Sequence, residues 1–247
     1  MKRLLLLGFF FVFFSCASVN DQVVSKEIQA RMDLATSFLL KGKPRVSLRY
    51  LLPVKDRAKN NPDYRFLLGL VYFEMKKYKL AKDEFFKVIE LKPNYAEAWN
   101  NLGLCYTELK EFDEAKKAFE KAMQIPTYLT PEYPAYNLAN LYYNQKEFDK
   151  AKKYLKKSIE FNWRYVPSYL LLSKIYEEEN DINSSVRCLE RAMEADPDNK
   201  AVLLKLAEGY LKKGERERAI AIFKRIVEKF PKSDASKVAK DYLVILQ

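Results

Sequence analysis

The chain has 247 residues, of which 49% are hydrophobic, and its formal net charge is +11 at pH 7. It contains no histidine, so it lacks the residue type that most often serves as a general base or as a transition-metal ligand. Its basic residues alternate with acidic ones, as in KEFDEAKKAFEKA, which is typical of a solvated helix face and argues against a nucleic-acid partner.

The first 18 residues, MKRLLLLGFFFVFFSCAS, have the pattern of a signal peptide. Two basic residues precede a run of eleven apolar residues, which is too short to span a bilayer comfortably. Ser15 and Cys16 follow, and a cysteine after an apolar run and a small residue resembles the lipobox of bacterial lipoproteins. The two phenylalanines before Ser15 depart from that motif. The resemblance implies that Cys16 becomes the lipidated first residue of the mature protein.

The lipobox resemblance also bears on location. Ser18 is not the aspartate that retains such lipoproteins in the inner membrane, so the resemblance implies a lipid anchor on the periplasmic face of the outer membrane. An uncleaved signal anchor in the inner membrane and an ordinary secreted form stay open as alternatives. Residues 19–27, VNDQVVSKE, are predicted to be a polar tether before the first folded element.

From residue 28 onward the sequence repeats itself. Residues 94–126 contain two amphipathic segments around a polar break, which predicts two helices folded back on each other, with Asp113 capping the second. Small residues recur at intervals of 34, 34, 36, 34 and 34 residues, where close helix packing is expected. These residues are Ala35, Gly69, Gly103, Ala139, Ser173 and Ala207. An aromatic residue follows each by three positions: Phe38, Tyr72, Tyr106, Tyr142, Tyr176 and Tyr210.

This period and the motif WNNLGLCY, followed by Ala115, Phe119 and Ala122, resemble the tetratricopeptide repeat (TPR). The resemblance implies an all-α fold: a right-handed superhelical solenoid of six TPR hairpins with a C-terminal capping helix. The predicted repeats are 28–61, 62–95, 96–129, 132–165, 166–199 and 200–233, and the capping helix is 234–247. Ser233 or Asp234 is expected to cap that last helix.

The chain shows no pattern typical of an active site. We find no nucleophile elbow, phosphate-binding loop, metal motif or carboxylate pair, so we predict no metal, no cofactor and no enzymatic activity. Cys105 and Cys188 lie on apolar helix faces two repeats apart. They are interpreted as small buried hydrophobic residues that form no disulfide.

The TPR resemblance implies that the first helix of each hairpin lines a concave face that binds a peptide. Residues two before, one after and four after each small reference residue point into that face. Repeats one and two give an apolar patch, and repeats three and four add amides and tyrosines. The predicted contact residues are Leu39, Leu67, Leu70, Phe73, Asn100, Asn101, Leu104, Tyr136, Asn137, Asn140 and Tyr143. Such a surface suits an extended or helical peptide, but leucine and tyrosine at these offsets are equally compatible with core positions.

A lipobox-like cysteine followed by six such repeats resembles the pilotins, the lipoproteins of type IV pilus biogenesis and stability. The segment beginning TYLTPEYPAYNLANLYYNQ is similar to theirs at the matching point. The resemblance implies a protein that binds a secretin subunit at the outer membrane and aids pilus assembly. Two alternatives stay open: a general periplasmic TPR adaptor in outer-membrane protein assembly or polysaccharide export, and a cytoplasmic enzyme regulator held by an uncleaved anchor.

Overall fold

The computed structural model describes residues 23–246. The predicted signal peptide, the lipidation site Cys16 and the start of the predicted tether lie outside the described residues. Residues 23–27, which we assigned to the tether, are already helical, and Val24 packs against a hydrophobic cluster of the first hairpins. Within residues 23–246 all regular structure is helical, so the predicted all-α fold class is confirmed.

Helices α1 to α12 form six hairpins, in which each odd-numbered helix is the first and each even-numbered helix is the second, and α13 follows alone. Their bounds are α1 (23–40), α2 (Pro44–Leu51), α3 (Pro62–Glu74), α4 (Tyr78–Leu91), α5 (Ala96–Glu108), α6 (Phe112–Met123), α7 (Glu132–Asn144), α8 (Phe148–Phe161), α9 (Val166–Glu178), α10 (Ile182–Ala195), α11 (Lys200–Lys212), α12 (Arg216–Lys229) and α13 (Asp234–Ile245). α6 begins before Asp113, which therefore lies in its first turn, so the prediction of Asp113 as the cap is wrong.

Every first helix ends in the same backbone turn. In the second hairpin the N–H of Lys77 donates to the C=O of Tyr72 at 2.9 Å, and the N–H of Lys76 donates to the C=O of Phe73 at 2.8 Å. These two bonds define a Schellman motif, whose reversal point has positive φ. The reversal residues keep the spacing of the sequence repeat: Gly42, Lys76, Lys110, Lys146, Asn180 and Gly214. The hairpin turn therefore depends on backbone hydrogen bonds, and glycine stands at only two of the six positions.

The small residues of the repeat lie where helices pack most closely. A Cβ built on Gly69 would lie 2.7 Å from Cε1 of Phe85, closer than real Cβ contacts come. In the fifth hairpin the hydroxyls of Ser173 and Ser185 are 2.8 Å apart, so the small residues of the two helices face each other. These contacts confirm that the small positions mark close approach.

The chain divides into two compact units, Met1–Ala118 and Phe119–Gln247, with the division inside α6. In unit 1 the fully buried side chains include Tyr64, Leu68 and Phe85. In unit 2 a cluster around Leu203 and Phe223 continues up to the last helix. Each unit thus has its own hydrophobic core.

The C-terminal helix α13 covers the apolar edge of the sixth hairpin, as predicted. The ring of Tyr242 stacks on Phe223 with centroids 4.7 Å apart, and its hydroxyl donates to Glu208 at 3.3 Å. Ser233 is the N-cap, because its Oγ accepts from the N–H of Ser236 at 3.1 Å. The prediction of a capped, covering helix at this end is confirmed.

Candidate peptide-binding face

Unit 1 carries the apolar part of the predicted contact surface. Leu39, Leu70, Phe73 and Leu104 are partly exposed on α1, α3 and α5, and we call these four residues the apolar face. Leu70 and Phe73 pack on the cluster around Phe85, so the apolar face is held from below by the core. These helices therefore present aliphatic and aromatic groups to solvent on a rigid support.

The remaining predicted contacts of unit 1 are less accessible. Leu67 is only 7% exposed and Asn100 only 8%, so most of each side chain is covered by the chain itself. The amide nitrogen of Asn101 donates to the C=O of Glu97 at 2.7 Å, one turn earlier in the same helix. One donor of the Asn101 amide is therefore already used within its own helix.

Unit 2 carries Tyr136, Asn137, Asn140 and Tyr143 on the first helix α7. Asn140 is exposed and Tyr136 and Asn137 are partly exposed, whereas Tyr143 is only 9% exposed. The structure thus places these four predicted contacts on one helix of unit 2, with Asn140 the most accessible.

Tyr143 is held by charged neighbours from its own turn and from the next hairpin. Its hydroxyl donates to the carboxylate of Glu178, and the ammonium groups of Lys174 and Lys146 lie 4.9 and 5.5 Å from its ring centroid. The hydrogen bond from Tyr143 is the largest cause of a lowered pKa at Glu178, and Lys146 adds to it. This network was missed because we did not extend the contact positions into repeat five, where Lys174 occupies the same offset as Asn140.

Three tyrosines meet beside this face. The ring of Tyr165, just before α9, lies 5.3 Å from Tyr133 and 5.5 Å from Tyr136, with interplanar angles of 89° and 81°. We call Tyr133, Tyr136 and Tyr165 the tyrosine cluster. Tyr133 and Tyr165 were not predicted as site residues. The available signal was the spacing of Tyr133 three residues before Tyr136, which places both rings on one side of α7.

Neither metal binding nor a membrane span is indicated in the described part. Residues 23–246 contain no group of three or more histidine, cysteine, aspartate or glutamate side chains that could hold a metal ion. The helices within this range are all too short or too polar to cross a bilayer.

The two cysteines of the repeats differ in exposure. Cys105 is buried as expected, whereas Cys188 is partly exposed. Burial raises the pKa of the Cys105 thiol to about 12.

Repeated two-helix hairpins whose first helices present apolar and tyrosine-rich surfaces define a helical-repeat protein of the polypeptide-binding type. Family models described as tetratricopeptide repeat match residues 96–125, 133–162 and 169–240, and one described as TPR repeat matches 69–110. The chain belongs to the tetratricopeptide repeat family, whose domains bind protein or peptide partners. No curated protein matches the chain by sequence.

Solved structures with the same fold include PilF, PilW and YrrB. PilF of Pseudomonas aeruginosa superposes with a TM-score of 0.69 at 19% identity, covering 89% of this chain and 99% of its own. PilW, described as a widely conserved type IV pilus biogenesis factor, gives 0.68 at 19% identity, covering 85% and 97%. YrrB, a TPR protein with an unusual peptide-binding site, gives 0.52 at 18% identity, covering 77% and 97%. At these identities the likeness is one of fold.

Proposed function

We propose that this protein is a non-enzymatic scaffold of the bacterial envelope, a pilotin-like lipoprotein that binds a secretin subunit and aids type IV pilus assembly. The observation that supports this most is the near full-length likeness to PilF and PilW, which cover 89% and 85% of the chain. The lipobox-like Cys16 in the sequence gives independent support, because a pilotin acts from the membrane that receives the secretin.

The apolar face of unit 1 is the proposed contact for the partner. Leu39, Leu70 and Phe73 are partly exposed, yet each packs on the core below, so they can take up apolar side chains without reorganising. A rigid apolar surface of this kind suits an amphipathic or extended segment of the secretin subunit. The reaction is association alone, which is why no catalytic group is needed.

The anchor gives the scaffold its location. We propose that Cys16 carries the lipid at the periplasmic face of the outer membrane, and that the uncleaved inner-membrane anchor is the alternative. Mass spectrometry of the protein purified from membranes distinguishes the two, because a lipidated Cys16 at the N-terminus supports the lipoprotein and an intact Met1 contradicts it.

The partner is tested by co-purification and by localisation. The anchored protein is expected to bring down the secretin subunit, and Cys16→Ala is expected to move that secretin away from the outer membrane. If the secretin stays in place while another envelope protein is recovered, the chain is instead a general periplasmic TPR adaptor.

The contact face is tested by charge insertion. Leu70→Glu with Phe73→Glu is expected to abolish binding of the secretin subunit while the circular dichroism spectrum stays helical, because a partner would have to desolvate two carboxylates. The matched control is Leu80→Glu with Phe86→Glu on α4, where the native side chains are 44% and 49% exposed. Equal binding by the two double variants would place the contact elsewhere.

A further inference from the structure

The tyrosine cluster of unit 2 presents ring faces that no cation of the described chain covers. Elsewhere in unit 2 a lysine or arginine stands over most tyrosine rings. Lys150 lies 5.3 Å from the Tyr142 centroid, and the guanidinium of Arg218 lies 4.1 Å from that of Tyr210. Within residues 23–246 no such cation stands over Tyr133, Tyr136 or Tyr165.

In repeat two, a lysine of the chain itself lies over the aromatic ring that corresponds to Tyr165. Residues 70 positions earlier are the repeat equivalents, so Tyr95 corresponds to Tyr165 and Phe66 corresponds to Tyr136. In unit 1 the rings of Phe66 and Tyr95 are stacked with centroids 5.0 Å apart, and Lys92 Nζ lies 4.8 Å from the Tyr95 centroid. In repeat two, where the two rings are stacked, Tyr95 therefore accommodates an ammonium group, whereas Tyr136 and Tyr165 meet edge to face.

In the fourth repeat the lysine is replaced. The equivalent of Lys92 is Asn162, whose side-chain nitrogen donates to Oε1 of Glu132 at 2.8 Å. The third ring, Tyr133, occupies the position of Asp63, a carboxylate that accepts a hydrogen bond from the Tyr95 hydroxyl at 3.1 Å. The fourth repeat therefore has an asparagine where repeat two has the lysine, and a third aromatic ring where repeat two has the aspartate.

A carboxylate lies close to the cluster. Glu132 is only 5% exposed, and no lysine or arginine of the described part forms an ion pair with it. Burial is the main cause of a raised pKa at Tyr165, and the neighbouring Tyr136, Tyr133 and Glu132 add to it. Aromatic rings that carry no cation, next to a carboxylate that has no ion-pair partner in the described part, favour a positively charged ligand.

We propose that Tyr133, Tyr136 and Tyr165 bind a lysine or arginine side chain of the partner polypeptide, with Glu132 supplying the opposite charge. The partner chemistry follows from charge complementarity and from the lysine that occupies the equivalent position in repeat two. This inference rests on the proposed function, because the lysine or arginine belongs to a bound partner polypeptide. That polypeptide would lie along the first helices of unit 2.

The test uses the full chain in non-ionic detergent with tyrosine rings labelled for NMR. The probes are the peptides acetyl-Gly-Ser-Arg-Ser-Gly-amide and its citrulline counterpart, which keeps the shape of arginine without the charge. The arginine peptide is expected to shift the ring signals of the cluster, assigned through single Tyr→Phe variants. The citrulline peptide is expected to bind at least tenfold more weakly.

Asn162→Lys provides the decisive variant, because it restores the internal cation of repeat two and should abolish the response to the arginine peptide. Lys205→Asn, an exposed lysine on α11, changes charge in the opposite direction and should leave that response intact. Equal binding of arginine and citrulline peptides, shifts confined to other tyrosines, or an unchanged response in Asn162→Lys would each overturn the proposal. The measurement needs no secretin, so its failure leaves the proposed partner standing, and a failed co-purification leaves cation binding standing.

Discussion

The Cα of Gly69 lies directly against the ring of Phe85, so that an added methyl group would sit 2.7 Å from Cε1. Because Phe85 is fully buried, its ring cannot swing aside into solvent. We expect Gly69→Ala to destabilise the protein by about 1 to 3 kcal/mol through overpacking. Urea denaturation followed by circular dichroism measures the change. Phe85→Leu in the Gly69→Ala background should recover part of the loss, and a fully stable single variant would contradict the packing.

Substitutions at the positive-φ residues of the hairpin turns are expected to change the stability of the protein in opposite directions. Lys110 has φ of 62° and Gly214 has φ of 82°, both in the left-handed region that costs a residue with a Cβ about 1 to 2 kcal/mol. We expect Lys110→Gly to stabilise the protein by roughly 0.5 to 1 kcal/mol, since part of the strain relief is offset by unfolded-state entropy. Gly214→Ala should destabilise it, although nothing lies within 4 Å of the added Cβ. A loss of stability in Lys110→Gly would show that the lysine side chain contributes more than the strain costs.

A buried ion pair in unit 1 predicts a large single-variant effect. Arg65 Nη1 and Glu84 Oε2 are 2.7 Å apart, and their side chains are 10% and 8% exposed. Glu84→Ala leaves the guanidinium buried without its counter-charge and should cost about 3 to 5 kcal/mol. Arg65→Met combined with Glu84→Leu should restore most of that stability, because no charge is then left buried. Thermal unfolding of both variants and of the native chain checks this, and a double variant no more stable than Glu84→Ala would be the contrary outcome.

The Tyr143–Glu178 hydrogen bond predicts a pH effect. The folded state lowers the pKa of Glu178, so this carboxylate contributes stability above its unfolded pKa, near 4.5, and that contribution is lost as the pH falls through the lowered folded value. Tyr143→Phe removes the main cause, so we expect the pKa of Glu178 to rise towards its ordinary value. A carboxyl-carbon NMR titration measures it directly. Tyr154→Phe, which removes a comparable hydrogen bond to Glu120, is the control that should leave Glu178 unchanged.

Sequence periodicity predicts the hairpins well because their packing is local and repeats at fixed offsets. Gly69 and Ser173 were found by spacing alone, and both lie at close helix contacts. The turns were harder, because a Schellman reversal made by backbone groups tolerates lysine and gives no glycine signal at Lys110. Asp113 was misplaced because the turn closes at Glu111 and α6 already begins at Phe112.

The candidate site was predicted only in outline. Offsets within a helix predict which side chains point outward, so Leu70 and Asn140 are accessible as expected. Offsets do not show which side chains already form hydrogen bonds within the chain. Asn101 bonds to its own helix and Tyr143 bonds to Glu178, and neither contact follows from the repeat pattern. Tyr165 lies between helices, outside the positions that helical periodicity describes.

The backbone-made reversals leave three exposed ammonium groups, at Lys76, Lys110 and Lys146, that take no part in closing the turn. Each stands one hairpin further along the chain, so a single cysteine exchanged for any of them provides an attachment point for a spin label or photo-crosslinker. Comparing the three derivatives would show which hairpins a bound polypeptide passes, because spin-label broadening or crosslinking is strongest at the hairpin nearest to it.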